Sequence, residues 1–393
     1  MQVQVEIVRE RARLERLEDE YRALLNQCAA TTVFVTWEWL ITWLDIFGHT
    51  CEPFVICVRD DRGLLVGVAP FKIASRRRYG IRVRQLEFIG TGEAVSPDRL
   101  DFVVHRGCDE WAAAQLIEAM LNARGSWDVL ALTSVAPDAL CRGVLAASAG
   151  SHARELPDRV CPYIQLPSRW EDCEARLGKS FNRHLKRGAR RLFTELGVVF
   201  ELLTNPSDED IDCAIADLGQ LHQDRMEHTN RGGNFRKTDY YAFHLAFAKR
   251  LATRGGLVLA FLKHQDRRIA ARYGFLHNGT YYAYQSGFDR EYERHSPSTV
   301  LLSCLIRHFI ESGIREFDFL RGAQPHKYEW TPLDRRTVKL QAWNGPRGHW
   351  LKFNDMLRQT LKGLRGLAEG AGEPGNATPG ETHPVAQHRA TLS

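Results

Sequence analysis

Two stretches of the chain alternate apolar and polar positions in the manner of paired strands. Pro53 to Ile73, PFVICVRDDRGLLVGVAPFKI, reads strand, turn, strand, with Asp60-Asp61-Arg62-Gly63 as the turn. Gly256 to Phe288 reads as three strands with two turns. The second of those turns is Asn278-Gly279, a pair that tolerates the positive φ angles of a tight hairpin. Both stretches follow helical segments and precede a further strand and a helix. The first continues through VRQLEFIG and LDFVV into a helix over Asp109–Asn122 and the strand WDVLALTSV. The second continues into a helix over Pro297–Ser312 and the strand IREFDFL. Two copies of one mixed α/β unit, about 200 residues apart, would produce this pattern, and two copies are too few for a solenoid. The predicted boundary lies at Cys161–Arg169, where Pro162 and Pro167 interrupt the pattern, giving domains 1–165 and 166–365.

Helices follow from the 3.6-residue period. Trp37, Leu40, Ile41 and Leu44 form one face, and Trp39 and Trp43 add an aromatic edge, expected in a core or domain interface before a ligand box. Leu177, Phe181, Leu185, Leu192 and Leu196 form a second stripe, on a helix otherwise basic at Arg176, Lys179, Arg183, Lys186, Arg187, Arg190 and Arg191. Asp212–Arg225 and Tyr240–Arg250 predict two more helices, separated by the loop NRGGNF. From Gly366 the sequence is rich in Gly, Pro, Ala and Thr, so residues 366–393 are expected to form a disordered tail.

Composition narrows the class. With 44% hydrophobic and 26% charged residues in 393, the chain is not mostly disordered, collagen-like or a small disulfide scaffold. No apolar run approaches the roughly 20 residues that span a bilayer; the best, Val300 to Ile310, is broken by Ser303, Arg307 and His308. The opening MQVQVEIVRE lacks the basic and apolar regions of a secretory signal, and a soluble cytoplasmic protein is expected. Nine scattered cysteines without a C-x-x-C pair read as small buried hydrophobes in a reducing compartment. A net charge of +5 permits an anionic ligand without arguing for nucleic acid.

Phosphate-loop, zincin and nucleophile-elbow motifs are absent and no G-x-G-x-x-G follows a strand, which disfavours those chemistries. His222 and His228, six apart, do not share a helical face, and no metal site is predicted. Ser296-Pro297-Ser298-Thr299 carries a helix start signal, serine as cap and proline at the first position. Such an end suits a phosphate, with Arg290 and Arg294 just upstream; the plainer reading is a capped helix with solvated arginines. Asp318 alternates with Phe317 and Phe319, so it is expected to face a cleft or solvent, near His326, Lys327 and Tyr328. An acid, a histidine and a lysine at a strand end suit amine deprotonation and oxyanion stabilisation, although such residues also decorate loops.

The order GKSFNRHLKRGARRL, TYYAYQSGFD, YERHSPSTVLL and FDFLRGAQPHKYEW resembles the acetyltransferases of the GNAT superfamily. It is similar in particular to the CelD-like group of cellulose biosynthesis, relatives of the FemAB-type aminoacyl and acyl transferases. The resemblance is strongest from Lys179 to Trp330 and includes WEWLITWLDIFG near the start. It implies tandem GNAT-like domains of mixed α/β (α+β) fold, each a mixed sheet flanked by helices, with an active cleft in the second. It further implies an acyl-CoA donor, acetyl-CoA among them, whose pantetheine arm pairs with Gln285, Ser286, Gly287 and Phe288. The pyrophosphate would sit at Ser296, Ser298 and Thr299 with Arg290 and Arg294. The chain departs from the pattern at Ser298, where relatives often carry glycine. Asp318, Arg321, Gly322, Lys327 and Tyr328 match the family's D-F-x-R-G block, with His326 where relatives often have tyrosine. On this resemblance Asp318, Lys327 and Tyr328 are the catalytic group: Lys327 stabilises an oxyanion or substrate anion and Asp318 orients or deprotonates the amine. Arg321 and His326 would bind substrate. The expected activity is transfer of an acyl group to an amine or hydroxyl, linked to exopolysaccharide or cell-envelope metabolism. Two alternatives stand beside it: a FemAB-like transferase using aminoacyl-tRNA, gripped by the basic helix, and a non-catalytic module binding anionic polysaccharide or a membrane surface.

Overall fold

The alternating segments become strands of one mixed sheet. A computed structural model describes residues 3–28, 31–147, 153–227 and 233–370. His228, the first half of the loop NRGGNF and residues 371–393 of the expected tail lie outside the described residues, whereas 366–370, expected to belong to that tail, continue the last helix. The first part of the chain runs β1 (Gln4–Val8), α1 (Arg11–Glu15), α2 (Glu18–Asn26), α3 (Trp37–Phe47), β2 (Cys51–Arg59), β3 (Leu65–Arg78) and β4 (Ile81–Phe88). It continues through β5 (Val103–Val104), α4 (Asp109–Asn122), β6 (Val129–Val135) and α5 (Val144–Ala147). The second part begins with β7 (Ala153–Gln165), α6 (Trp170–Ala175), α7 (Lys179–Ala189), β8 (Val199–Leu202), α8 (Asp208–Glu227) and α9 (Thr238–Ala252). Then come β9 (Leu257–His264), β10 (Arg267–His277), β11 (Thr280–Phe288), α10 (Pro297–Glu311), β12 (Glu316–Asp318), α11 (Pro325–Tyr328), β13 (Asp334–Trp343) and α12 (Gly345–Gly370).

Among the described residues the strands follow the order β1-β2-β3-β4-β6-β13-β7-β12-β11-β10-β9-β8, with β5 pairing β3 off this path. One arrangement occurs twice. β2, β3 and β4 form an antiparallel meander, and β6 returns parallel to β4 after α4. β9, β10 and β11 form another, and β12 returns parallel to β11 after α10. The three predicted turns are made: Asp60 Oδ1 accepts from the N–H groups of Arg62 and Leu64, His264 pairs with Arg267 across the next, and Asn278-Gly279 joins His277 to its partner Thr280.

The sequence signals misplace the ends of some strands and miss others. LDFVV yields only Val103–Val104, and IREFDFL only Glu316–Asp318. Pro162, read as an interruption, lies inside β7, which pairs with β13 along Ala153–Pro162 and with β12 along Tyr163–Gln165. β13 in turn pairs with β6, so a strand near the C-terminus inserts beside the first meander's return strand. Of the expected buried cysteines, Cys28, Cys57, Cys141, Cys161 and Cys173 are buried and Cys213 is exposed. Trp39 and Trp43 are fully buried, and Trp39 packs edge-on against Phe243 and Phe247 of α9, at 4.9 and 5.0 Å, and against Phe275 of β10 at 6.3 Å. The aromatic edge of α3 is thus core shared with the second meander.

Candidate active site

The site begins with an irregularity in β11. Tyr273 pairs with Gln285 but Gly274 pairs with Ala283, leaving Tyr284 as an extra residue on β11. Such a bulge kinks the strand and re-aims its side chain. β12 pairs with β11 only along Thr280–Tyr282 and then turns away at Leu320, whose φ is +56°. Among the described residues, the edge of β11 away from β10 therefore has no strand beside it from Ala283 to Ser286. A cleft of about 310 Å³ opens there. One wall is Ala283–Ser286; the other is Phe319–Arg321 with Gln324, His326 and Lys327. α10 contributes Ser298 and Leu302, the loop after β4 contributes Ala94, Ser96 and Asp98, and Arg225, Asn234, Tyr240 and Arg272 complete the lining.

Cations dominate this cleft. Arg321 is neutralised by Asp98, which accepts from its Nε at 2.9 Å and its backbone N–H at 3.0 Å. Lys327 donates all three ammonium hydrogens to carbonyls, those of Phe319, Leu320 and Arg321, at 3.0, 3.1 and 2.8 Å. Burial drives its pKa down to about 8. Arg272 donates to the carbonyl and hydroxyl of Ser298, at 3.2 and 3.3 Å, while its Nε has no hydrogen-bond partner. Burial lowers its pKa to about 10. Arg225 donates to Ser286 Oγ at 3.1 Å, and burial lowers its pKa too. Neither Arg225 nor Arg272 forms an ion pair among the described residues. Desolvated guanidinium groups without a counterion favour an anion in the space they face. His326 is held below its ordinary pKa by burial and then by Arg272, Lys327 and Arg225, which keeps its imidazole neutral at pH 7. Burial pushes the Tyr284 and Tyr240 phenols up, so both remain protonated. Tyr284 Oη accepts from the Ser96 N–H, and Gln285 Nε2 donates to Tyr240 Oη at 2.8 Å.

Of the residues singled out in the sequence, Gln285, Ser286, Ser298, Arg321, His326 and Lys327 meet in this cleft. The others lie elsewhere. Gly287 is where α8 crosses β11: a Cβ there would stand 2.3 Å from the His222 backbone nitrogen. Phe288 packs against the second hydrophobic cluster. Arg290 and Arg294 are exposed in the turn before α10, Arg290 at 4.0 Å from Glu293 and Arg294 against His295. Ser296 takes the cap position in a left-handed conformation, φ +54°, but its side chain makes no cap bond; Oγ meets His184 Nε2 of α7 at 2.7 Å. Thr299 spends its N–H on the Ser296 carbonyl. Asp318 does point away from Phe317 and Phe319, yet it reaches neither solvent nor this cleft. It is fully buried against Arg99, 3.2 Å from Nη2, and accepts the Leu320 N–H at 2.7 Å. Tyr328 turns outward to Asp334 at 2.8 Å. Sequence reasoning missed Arg225, Arg272, Tyr240, Tyr284 and Asp98. Arg272 had a signal, as the one charge within the apolar run IAARYGFL. Among the described residues, no group of three or more His, Cys, Asp or Glu is placed to hold a metal.

Residues 179–328, which include most of this cleft, match the family described as an acetyltransferase (GNAT) domain. In fold the chain is similar to FemX, at 11% identity over 86% of this chain and 97% of that one, with a TM-score of 0.58. It is also similar to the C-terminal domain of a putative lysylphosphatidylglycerol synthetase from Agrobacterium fabrum (14% identity, 87% and 96% covered, TM-score 0.52). The L-PGS of Bacillus licheniformis has a like fold (13% identity, 86% and 96% covered, TM-score 0.51). No curated protein matches the chain in sequence. Fold and match together define the class: a mixed α/β protein in which residues 179–328 match an acetyltransferase (GNAT) domain.

Proposed function

We propose that the protein is an acyltransferase that takes an acyl group from an acyl-CoA donor and passes it to an amine or hydroxyl acceptor. The observation that carries this reading is the parting of β11 from β12 beyond Tyr282, beside the Arg225 and Arg272 guanidinium groups, which have no carboxylate partner among the described residues. An open strand edge offers backbone hydrogen bonds to the amides of a pantetheine arm, and its N–H groups suit a developing oxyanion. The acceptor nitrogen attacks the thioester carbonyl carbon, the tetrahedral oxyanion collapses, and the C–S bond breaks to release thiolate. The proton leaving nitrogen passes to a base. Neutral His326 suits that role better than Asp318, whose carboxylate is spent on Arg99 and Leu320. Lys327, bonded to three carbonyls, holds the far wall in shape. Residues 1–165 and 166–365 are read as two copies of one unit, with the cleft in the second. Acceptors from envelope or exopolysaccharide metabolism, such as sugar amines, are the first to test.

The test is a thermal melt with a series of acyl-CoA donors, followed by thiol release with candidate amines. A donor at 100 times its Kd stabilises the native state by about 2.7 kcal/mol, which raises the melting temperature by a few degrees. If no acyl-CoA shifts the melt, the donor assignment is wrong. One observation favours the aminoacyl-tRNA reading. Arg183 and Arg187 of α7 are exposed and have no carboxylate within 4 Å among the described residues. Charge of that kind binds phosphates with steep salt dependence. Absence of tRNA binding at low salt would remove this second reading.

A further inference from the structure

We infer that α12, with the tip of the β3–β4 hairpin, forms a docking face for an anionic membrane surface. Trp350, Phe353, Leu357 and Leu361 recur at the spacing that keeps one helical face, with Met356 at its edge. Their exposures are 40%, 65%, 47% and 50%, and 53% for Met356. The opposite face is buried: Leu351 packs with Val83, Val129, Ala131 and Trp343, and a Cβ on Gly348 would lie 2.3 Å from the Asp128 carbonyl. The helix is thus fixed to the sheet on one side and presents an apolar stripe about 16 Å long on the other. Large apolar side chains concentrated on one helix mark an interaction surface, whereas scattered ones do not.

Charge identifies the partner. By helical spacing, Arg347 and Arg358 border one edge of the stripe and Lys352 the other. The hairpin tip lies alongside: the Tyr79 and Trp350 rings are 6.0 Å apart and the Arg358 guanidinium is 5.2 Å from the Tyr79 ring. That tip adds Arg77 and Arg82, both exposed and without an ion pair among the described residues. Asp355, the one carboxylate between Gly345 and Leu361, is engaged by Arg78 at 3.0 Å and the Tyr79 hydroxyl at 2.7 Å. An apolar stripe bordered by cations is the pattern of a helix lying in the headgroup region of an anionic bilayer. A second copy of the chain is a poor fit, because a two-fold contact through this face would set its cations against one another. Residues 371–393 contain only Val385 and Leu392 as large apolar residues.

The experiment is co-sedimentation of the full chain with vesicles of phosphatidylcholine containing phosphatidylglycerol, and with phosphatidylcholine alone. Binding is expected to the anionic vesicles and to fall sharply as salt is raised. The variant Arg77→Glu/Arg82→Glu should weaken it by at least about fivefold for each arginine, and Phe353→Glu/Leu357→Glu by tenfold or more. All four residues are exposed, and circular dichroism checks that the variants keep the native fold. Equal binding to both vesicle types, no binding to either, or variants that bind like the parent would overturn the proposal. So would a dimer that Phe353→Glu/Leu357→Glu dissociates, since the stripe would then serve self-association.

Discussion

His244 shows how much a single buried group decides. It is fully buried among Tyr240, Phe243, Tyr273 and Tyr284, with Nδ1 3.3 Å from the Tyr273 hydroxyl, and burial lowers its pKa to about 3. The unfolded chain binds a proton there below about pH 6.5, while the native state stays neutral until about pH 3. Acidification through that window therefore favours unfolding, by about 2 kcal/mol at pH 5 from this residue. His277, lowered to about 4 by burial, acts in the same direction. Urea midpoints at pH 7.5 and pH 5 should differ accordingly, and His244→Phe should narrow the difference; an unchanged gap would place the acid sensitivity elsewhere. His326 is lowered for a different purpose. Burial, and then the neighbouring Arg272, Lys327 and Arg225, lower its pKa from the ordinary histidine value, so the acid limb of activity dependent on it as a base should lie below pH 6.5. His326→Ala should lower kcat by about 10²-fold or more with donor binding retained. A pH profile falling at the ordinary histidine value, or an unaffected rate, would exclude it.

At the level of elements, helix α8, strand β11 and helix α10 set the cleft's shape. Gly287 lets α8 lie directly on β11, which brings Arg225 to Ser286. Gly287→Ala would put a methyl group 2.3 Å from the His222 nitrogen and force the helix outward. Overpacking of this kind costs about 1–3 kcal/mol, read as a lower urea midpoint, and should weaken anion binding in the cleft as Arg225 moves. The sequence makes some of these elements legible because their signals are local. Asn278-Gly279 marks a hairpin by backbone chemistry alone, and Ser296-Pro297 marks the start of α10 within one turn. β7 is opaque for the opposite reason. Pro162 removes a donor and reads as a break, but the strand's bonds go to β13 and β12, partners no local pattern reveals. Arg225 is hidden among the many charges of α8, and Arg272, although conspicuous in its apolar run, points to a site only once the fold brings the two together. Alternation with Phe317 and Phe319 sets Asp318 on the other side of its strand, but nothing near it in sequence indicates that Arg99 closes over it.

Across the whole molecule, two ion pairs cross between distant parts of the chain beside the cleft. Asp98 pairs with Arg321 at 2.8 Å, and its neighbour Arg99 pairs with Asp318 at 3.2 Å. Asp98 is 1% and Asp318 0% exposed, so neither carboxylate has water as an alternative partner. Together with β13 beside β6, these pairs tie the first meander's loop to the wall built from residues 319–321. Breaking one buried pair from one side leaves an uncompensated charge and costs about 3–5 kcal/mol. Arg99→Met should therefore destabilise the protein by that order at pH 7. Burial already raises the Asp318 pKa, with Arg99 the main opposing influence, and loss of Arg99 raises it further. In the variant the native state then holds a proton that the unfolded chain, titrating near 3.9, has released. Its deficit relative to the parent should accordingly shrink as pH falls from 7 to 5, opposite in direction to the histidine effect, which both proteins share. Adding Asp318→Asn removes the titrating group, so the double variant should recover part of the loss and lose the pH dependence of the difference. Urea denaturation of parent, single and double variants at both pH values tests this; a deficit in Arg99→Met that is the same at pH 5 and 7 would mean that Asp318 does not depend on Arg99 for its charge.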